Sequence, residues 1–269
     1  MQEYIIKTRE DGTCITVSQV HKILLQILKD VDELCRKYEI PYWLTGGSAL
    51  GAVRHKGFIP WDDDADIGMM YEDYVRFLKV VNELPDIYCA QCFDTHKEYN
   101  VTVPAMKIRK KGTHIEEKNP LLKNKCKDCD GIFIDIFIID YASENRVNDG
   151  LHRLMNASLM YVIIFLENIH LNPLWLKRKY VRHARRYGNK NKGSSLIGYD
   201  LTWSFQSIAS PIIYPYDSVF PIKYVPFEDT MLPIPHNPTP MLNREISVHH
   251  MSYPPLKDQK PKHIKDITF

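Results

Sequence analysis

The sequence predicts an α+β protein in which a mixed sheet core is flanked by helices. Three observations carry that expectation. Val20, Ile23, Leu24, Ile27, Leu28, Val31, Leu34, Cys35 and Tyr38 recur at helical spacing, which makes residues 18–39 a core-facing helix. Residues 131–140 (GIFIDIFIID) are β-branched or aromatic without a proline and read as a buried strand. From Phe220 onward the chain is proline-rich and reads as an extended segment wrapping the core. The 269 residues suffice for a full hydrophobic core. Residues 1–145 are expected to form that core, and 146–269 a helical insertion and extended part packed on it, within one compact domain or as an appendage to it.

Pro41 stops the first helix, and residues 42–45 read as a strand that ends on Gly46 and Gly47. A second helix is expected to start at residues 50–55, with its N-terminal N–H groups free to face a phosphate. Asp64-Ala65-Asp66-Ile67 alternates polar and apolar, as a short strand does. Residues 72–84 make an amphipathic helix ended by Pro85, residues 86–93 are partly strand, and 101–109 a strand with Lys107 at its centre. Residues 154–166 form an apolar helix. Beyond Glu167 no acidic residue occurs before Asp200, while Lys177, Arg178, Lys179, Arg182, Arg185, Arg186, Lys190 and Lys192 crowd the interval. An apolar helix followed by a basic one suits an anionic membrane surface or a lipid-linked acceptor. A core helix followed by a solvated basic face is the plainer reading, and the preferred one for the apolar helix.

The chemistry concentrates in residues 46–68. A Gly46-Gly47-Ser48 turn lets backbone approach a phosphate, and Asp62, Asp63, Asp64 and Asp66 follow within one short span. On a strand, Asp64 and Asp66 point to one face and repel each other unless a cation lies between them. Mg²⁺, or Mn²⁺, answers that need, because it takes oxygen ligands and accepts substrate phosphates into its shell. The candidate metal and catalytic residues are Asp64, Asp66 and, from the middle of the apolar 131–140 run, Asp135, with Asp140 ranked behind it. Gly46, Gly47, Ser48 and Arg54 are candidates for donor phosphate binding. A buried-strand Lys107 needs an anion, either a donor phosphate or one of the aspartates.

Six cysteines are present. Cys89-x-x-Cys92 and Cys126-x-x-Cys129 together resemble a four-thiolate structural Zn²⁺ site, set against reduced thiols. Residues three apart on a strand face opposite sides, so the first pair chelates only across a turn. The net charge of +2 carries no nucleic-acid footprint. The first residues lack a long apolar signal region, and no apolar run reaches membrane-spanning length, so a cytoplasmic enzyme, peripheral to the membrane if it docks there at all, is expected.

In residues 43–68, and again at Ala105-Met106-Lys107-Ile108-Arg109, Ile134-Asp135-Ile136-Phe137, Val225-Pro226-Phe227-Glu228-Asp229, Tyr253-Pro254-Pro255 and His263, the sequence resembles the LicD family of the nucleotidyltransferase-fold superfamily. The resemblance implies a nucleotidyltransferase-like mixed sheet. It implies transfer of phosphocholine from CDP-choline to a hydroxyl of a bacterial cell-surface glycan precursor, of teichoic acid or lipopolysaccharide type. Animal relatives transfer ribitol phosphate from a CDP donor. Asp64 and Asp66 match the family's metal-binding aspartates, and Asp135 matches the third acidic position. A quaternary ammonium is held by aromatic faces, for which Trp61 is the first candidate and Tyr199 and Trp203 the next. The rival expectations are a nucleotidyl or polyol-phosphate transferase of the same fold and a catalytically silent nucleotide-binding scaffold.

Overall fold

The computed structural model describes residues 3–119, 124–203 and 206–269. A hairpin of β1 (Ile5–Thr8) and β2 (Cys14–Thr16) leads into the long helix α1 (Val17–Lys37). α1 buries the expected stripe, including Val20, Leu24, Ile27 and Val31, and Gln19 Oε1 accepts the Thr16 N–H at its start. There follow β3 (Trp43–Leu44), α2 (Gly46–His55), β4 (Asp66–Met70), α3 (Tyr71–Val80), β5 (Tyr88–Cys92), β6 (Met106–Lys110), β7 (His114–Glu117) and β8 (Phe133–Tyr141). The second half contributes α4 (Arg146–Asn168), α5 (Leu174–Lys190), β9 (Leu196–Tyr199), β10 (Ile213–Pro215) and α6 (Tyr216–Val219). Then come a hairpin of β11 (Lys223–Phe227) and β12 (Thr230–Ile234), α7 (Thr239–Glu245) and β13 (Ile264–Thr268).

β8 is the axis of a seven-stranded mixed sheet. β4 runs parallel to it along one edge, with β3 antiparallel beyond. The other edge is shared end to end. Ile136 pairs with Met106 of β6, and Ile139 with Tyr199 of β9, while both also pair with β4. β5 and β10 complete the two wings, so strands from both halves of the chain build one sheet. Ile134, Ile136 and Ile139 are fully buried, which is why this strand reads as a continuous apolar run.

Four expectations change. The second helix begins at Gly46 rather than near Leu50, so the glycines lie in its first turn. The strand expected from Val101 begins at Met106, after Pro104, which has no N–H for a ladder. The segment after Phe220 is not simply extended, since it forms a hairpin, a helix and a strand, although its Phe227 packs at the core. Finally, α4 is a core helix only in part: Met160 and Ile163 are buried with Leu176 and Tyr180, while much of its apolar surface faces outward. Among the described residues no helix is long and apolar enough to cross a membrane.

Candidate active site

Register brings the acidic residues together. Asp66 of β4 pairs with Asp135 of β8, and Asp135 pairs with Lys107 of β6. Direct partners on adjacent strands project on one face, so the three side chains form a row. The Asp135 N–H donates to the Ala65 carbonyl (2.8 Å), which carries the ladder back toward the preceding aspartates. Asp62, Asp64 and Asp66 are half-buried, whereas Asp63, Ala65 and Ile67 are buried. That alternation puts Asp62 on the same side as Asp64 and Asp66.

The glycine pair serves these carboxylates. Gly46 has φ +54°, and a Cβ there would stand 3.1 Å from Asp66 Oδ2. A Cβ on Gly47 would meet Asp62 Oδ2 at 2.4 Å, inside contact distance. Ser48 Oγ accepts the Asp66 N–H (2.9 Å). The start of α2 is already met by an anion that sequence reasoning missed, Glu245 at the end of α7. Its Oε2 accepts the Gly46 N–H (2.7 Å), and the Thr45 hydroxyl donates to the same carboxylate (3.0 Å). Burial pushes the Glu245 carboxyl up to about 7, against these hydrogen bonds, which favour the charge. The only local sign of Glu245 was a lone acid in a proline-rich stretch, and nothing there indicates proximity to Gly46.

Electrostatics at the row are unbalanced. Burial, reinforced by neighbouring carboxylates, raises Asp62 and Asp66 well above the usual range and Asp64 to about 7. Burial raises Asp135 as well, against the pull of Lys107. Lys107 Nζ lies 2.8 Å from Asp135 Oδ1, 3.5 Å from Glu117 Oε1 and 3.4 Å from the Phe133 ring centre. This buried lysine is therefore committed to its acidic neighbours, the second of the two partners that its position predicted. The donor set is all oxygen, crowded and short of positive charge, which fits a hard divalent cation.

Asp63 has a different role. Its oxygens accept the backbone N–H groups of Lys262 (2.9 Å), His263 (3.0 Å) and Ile264 (2.7 Å), fixing the start of β13. This clamp sets His263 Nε2 3.1 Å from Asp64 Oδ2. Arg54 sits at the far end of α2 from the glycines. Its Nη1 donates to the carbonyls of His250 (2.8 Å) and Ser252 (3.0 Å), and its guanidinium lies 4.9 Å from the Tyr253 ring and 6.0 Å from that of Trp61. Trp61 is buried among Tyr4, His55 and Tyr253, so the aromatic group expected to hold a ligand cation already holds Arg54. Tyr199 and Trp203 instead pack on Phe137 (5.0 and 5.2 Å between ring centres), which shares the Asp135 face of β8. The Tyr199 hydroxyl reaches Thr45 Oγ1 (3.3 Å).

The four cysteines do not converge. Cys92 is fully buried beside Thr95, and Cys126 packs with Tyr99 and Val103. The strand places Cys89 and Cys92 on opposite sides of β5, as the three-residue spacing requires. A different set gathers: Cys89 Sγ and His96 Nε2 (3.1 Å) meet Asp128 Oδ2, and Cys129 accepts a hydrogen bond from Cys89 that holds its thiol down at about 6. His96 Nδ1 is engaged by Thr95 Oγ1 (2.7 Å), and Asp128 Oδ1 by Gln91 Nε2 (2.8 Å).

The site thus sits on a mixed α+β sheet, with carboxylates on adjacent parallel strands beside a glycine-initiated helix. Residues 39–152, less than half of the chain, match the family described as "LicD/FKTN/FKRP, nucleotidyltransferase domain". The chain is 36% identical over 130 residues to the lipopolysaccharide cholinephosphotransferase LicD of Haemophilus influenzae, covering 47% of this chain and 45% of that protein. It is 59% identical over 34 residues to the human ribitol 5-phosphate transferase FKRP, 13% of this chain and 7% of that protein. A third similarity, 28% identity over 74 residues, is to the mouse ribitol-5-phosphate transferase FKTN, over 28% and 15% of the respective chains. The matched segments thus span less than half of each relative.

Proposed function

We propose that the chain transfers phosphocholine from CDP-choline to a hydroxyl of a lipid-linked, bacterial cell-surface glycan precursor of teichoic acid or lipopolysaccharide type, releasing CMP on the cytoplasmic side. The observation that carries this reading is the row of Asp62, Asp64, Asp66 and Asp135 with Lys107 as its one buried lysine partner. Asp64, Asp66 and Asp135 would hold Mg²⁺ or Mn²⁺, which would supply charge neutralisation at the donor diphosphate and the departing CMP. The acceptor oxygen forms a bond to the phosphorus that carries choline, as the bond from that phosphorus to CMP breaks. The hydroxyl proton passes to the carboxylate row, with Asp135 as the assigned acceptor. Lys107 holds Asp135 in place. The quaternary ammonium is assigned to the Phe137, Tyr199 and Trp203 rings, in place of Trp61.

Cys89, His96 and Asp128, with Cys129 hydrogen-bonded to Cys89, are assigned as a structural Zn²⁺ set, in place of the four cysteines. Thiolate, imidazole and carboxylate suit zinc, and Thr95 and Gln91 orient two of the ligands.

The test is turnover of CDP-choline, CDP-ribitol and CTP by the purified chain, with and without Mg²⁺, on a hydroxyl acceptor. CMP with transferred phosphocholine supports the reading. CMP with ribitol phosphate establishes the second reading, which the short but 59% identical match to FKRP favours. Pyrophosphate release from CTP reassigns the chain to nucleotidyl transfer. Metal-dependent binding without turnover makes it a scaffold.

A further inference from the structure

Helix α4 carries apolar residues on both of its faces. Its buried face carries Met160 and Ile163 and, beside them, the polar Asp149, Arg153 and Asn156. The three polar residues are tied by Arg153 Nε to Asp149 Oδ2 (2.8 Å), Tyr187 OH to Asp149 Oδ1 (2.5 Å) and Asn156 Nδ2 to the Leu201 carbonyl (2.9 Å). The opposite face presents Val147, Leu151, Leu154, Val162, Phe165 and Ile169, each 48–73% exposed. Their spacing puts them on one stripe, ~33 Å long at ~1.5 Å per residue. No exposed residue between Val147 and Ile169 is charged. A helix that faces water shows the reverse pattern.

α5 lies alongside, with His152 Nδ1 2.8 Å from His183 Nε2. It has no acidic residue and exposes Arg178, Lys179, Arg182, Arg186 and Lys190. The cations of α5 that do form ion pairs are the buried Lys177, with Glu167, and Arg185, with Asp140 and Asp200. Exposed Tyr161 and Trp175 add rings of the kind that settle at lipid headgroups.

We propose that the outer face of the α4–α5 hairpin docks on an anionic bilayer, with the apolar stripe at the boundary of headgroups and acyl chains and the exposed arginines and lysines on lipid phosphates. Charge selects this occupant over a second copy of the chain. Pairing two α4 stripes would bring two cationic α5 helices together with no acidic residue on either. The surface would hold the enzyme where a lipid-linked acceptor lies, and in that respect it deepens the transfer reading. Its test, however, needs no turnover.

The experiment is flotation of the full chain with vesicles of phosphatidylcholine alone or mixed with phosphatidylglycerol. The expected result is partition at least about tenfold stronger onto the mixed vesicles, weakened by salt. Leu154→Ser with Phe165→Ser, and separately Arg178→Glu with Arg182→Glu, each lower that partition about tenfold or more, with far-ultraviolet circular dichroism unchanged. Three results overturn the proposal: no flotation at low salt, partition that neither pair alters, or a stable dimer broken by the Leu154/Phe165 pair.

Discussion

Replacing Asp63 with alanine separates an anchoring carboxylate from a metal ligand. The Asp63 side chain accepts three consecutive backbone N–H groups at distances of 2.7–3.0 Å and is only 2% exposed. A hydrogen bond to a charged group contributes ~1.5–3 kcal/mol, so three give an upper figure of ~4.5–9 kcal/mol. The donors sit at the start of β13, where water can reach part of the backbone once the carboxylate is gone, so the expected loss is about 4 kcal/mol. β13 is further held by pairing with β7 and by buried Ile264 and Ile267, so the rest of the fold should survive. Urea unfolding in EDTA measures the loss, and amide exchange should localise it to residues 262–268. Asp63 also lies within ligand distance of Asp62 and His263, so a metal role is the alternative. A loss below about 1 kcal/mol in EDTA, with a large loss only when Mg²⁺ is present, would refute the anchoring role.

Other predictions follow from the same geometry. Asp64→Asn and Asp66→Asn should each abolish turnover with the fold intact. In metal-free buffer near neutrality each should raise the melting temperature, because a carboxyl that folding makes harder to ionise costs stability above its usual pKa and asparagine carries no such cost; unchanged turnover would sink the assignment. Lys107→Met should destabilise by about 3–5 kcal/mol in urea melts, since Asp135 and Glu117 lose their shared cation. Glu245→Gln should have a pH-dependent effect. A carboxyl that titrates near 7 when folded, against its usual 4.5, gives stability that is complete below about 4.5 and lost as pH rises toward 7. The glutamine, always neutral, should match the native chain near pH 4.5 and exceed it by up to ~3 kcal/mol above pH 7; a difference that does not vary with pH excludes the buried charge. Finally, metal analysis should find zinc that Cys89→Ser or His96→Asn removes and Cys92→Ser leaves.

The first helix, the buried strand and the alternation around Asp64 were legible because each is a local periodicity. The LicD-type motif was legible because glycines and aspartates fall within one short span. Partners set by strand register were not. Lys107 faces Asp135 because β6 and β8 run antiparallel at one offset, and no local pattern encodes that offset. The same limit hid Glu245, which comes from nearly 200 residues away to the start of α2. It also misdirected the expected four-cysteine set, because an x-x-Cys spacing says nothing about which loop stands opposite. The apolar run in α4 was read as core, which holds for Met160 and Ile163; its exposed stripe was missed because hydrophobicity gives the composition of a face and not what covers it. Arg54 and Trp61 are close to the motif in sequence, yet the tail carrying Tyr253 closes over them.

The charges at the row constrain any chemistry there. Lys107 is shared by Asp135 and Glu117, and Glu117 also takes Arg109 (3.3 Å). The direct ion pairs of that basic pair go to Asp135 and Glu117, so Asp64 and Asp66 feel Lys107 only as a neighbouring charge. Three half-buried carboxylates side by side cannot all stay ionised on that support, so each must hold a proton or share a cation. A cation that displaces those protons links its own binding to pH. With Asp64 titrating near 7, affinity for Mg²⁺ should rise from pH 6 to 8 and level off above, with protons released in proportion. Calorimetric titration of Mg²⁺ in two buffers of different ionisation enthalpy reads that release directly. A release of no protons near pH 6.5 would mean that the row is already ionised, and the charge imbalance inferred for it would be wrong.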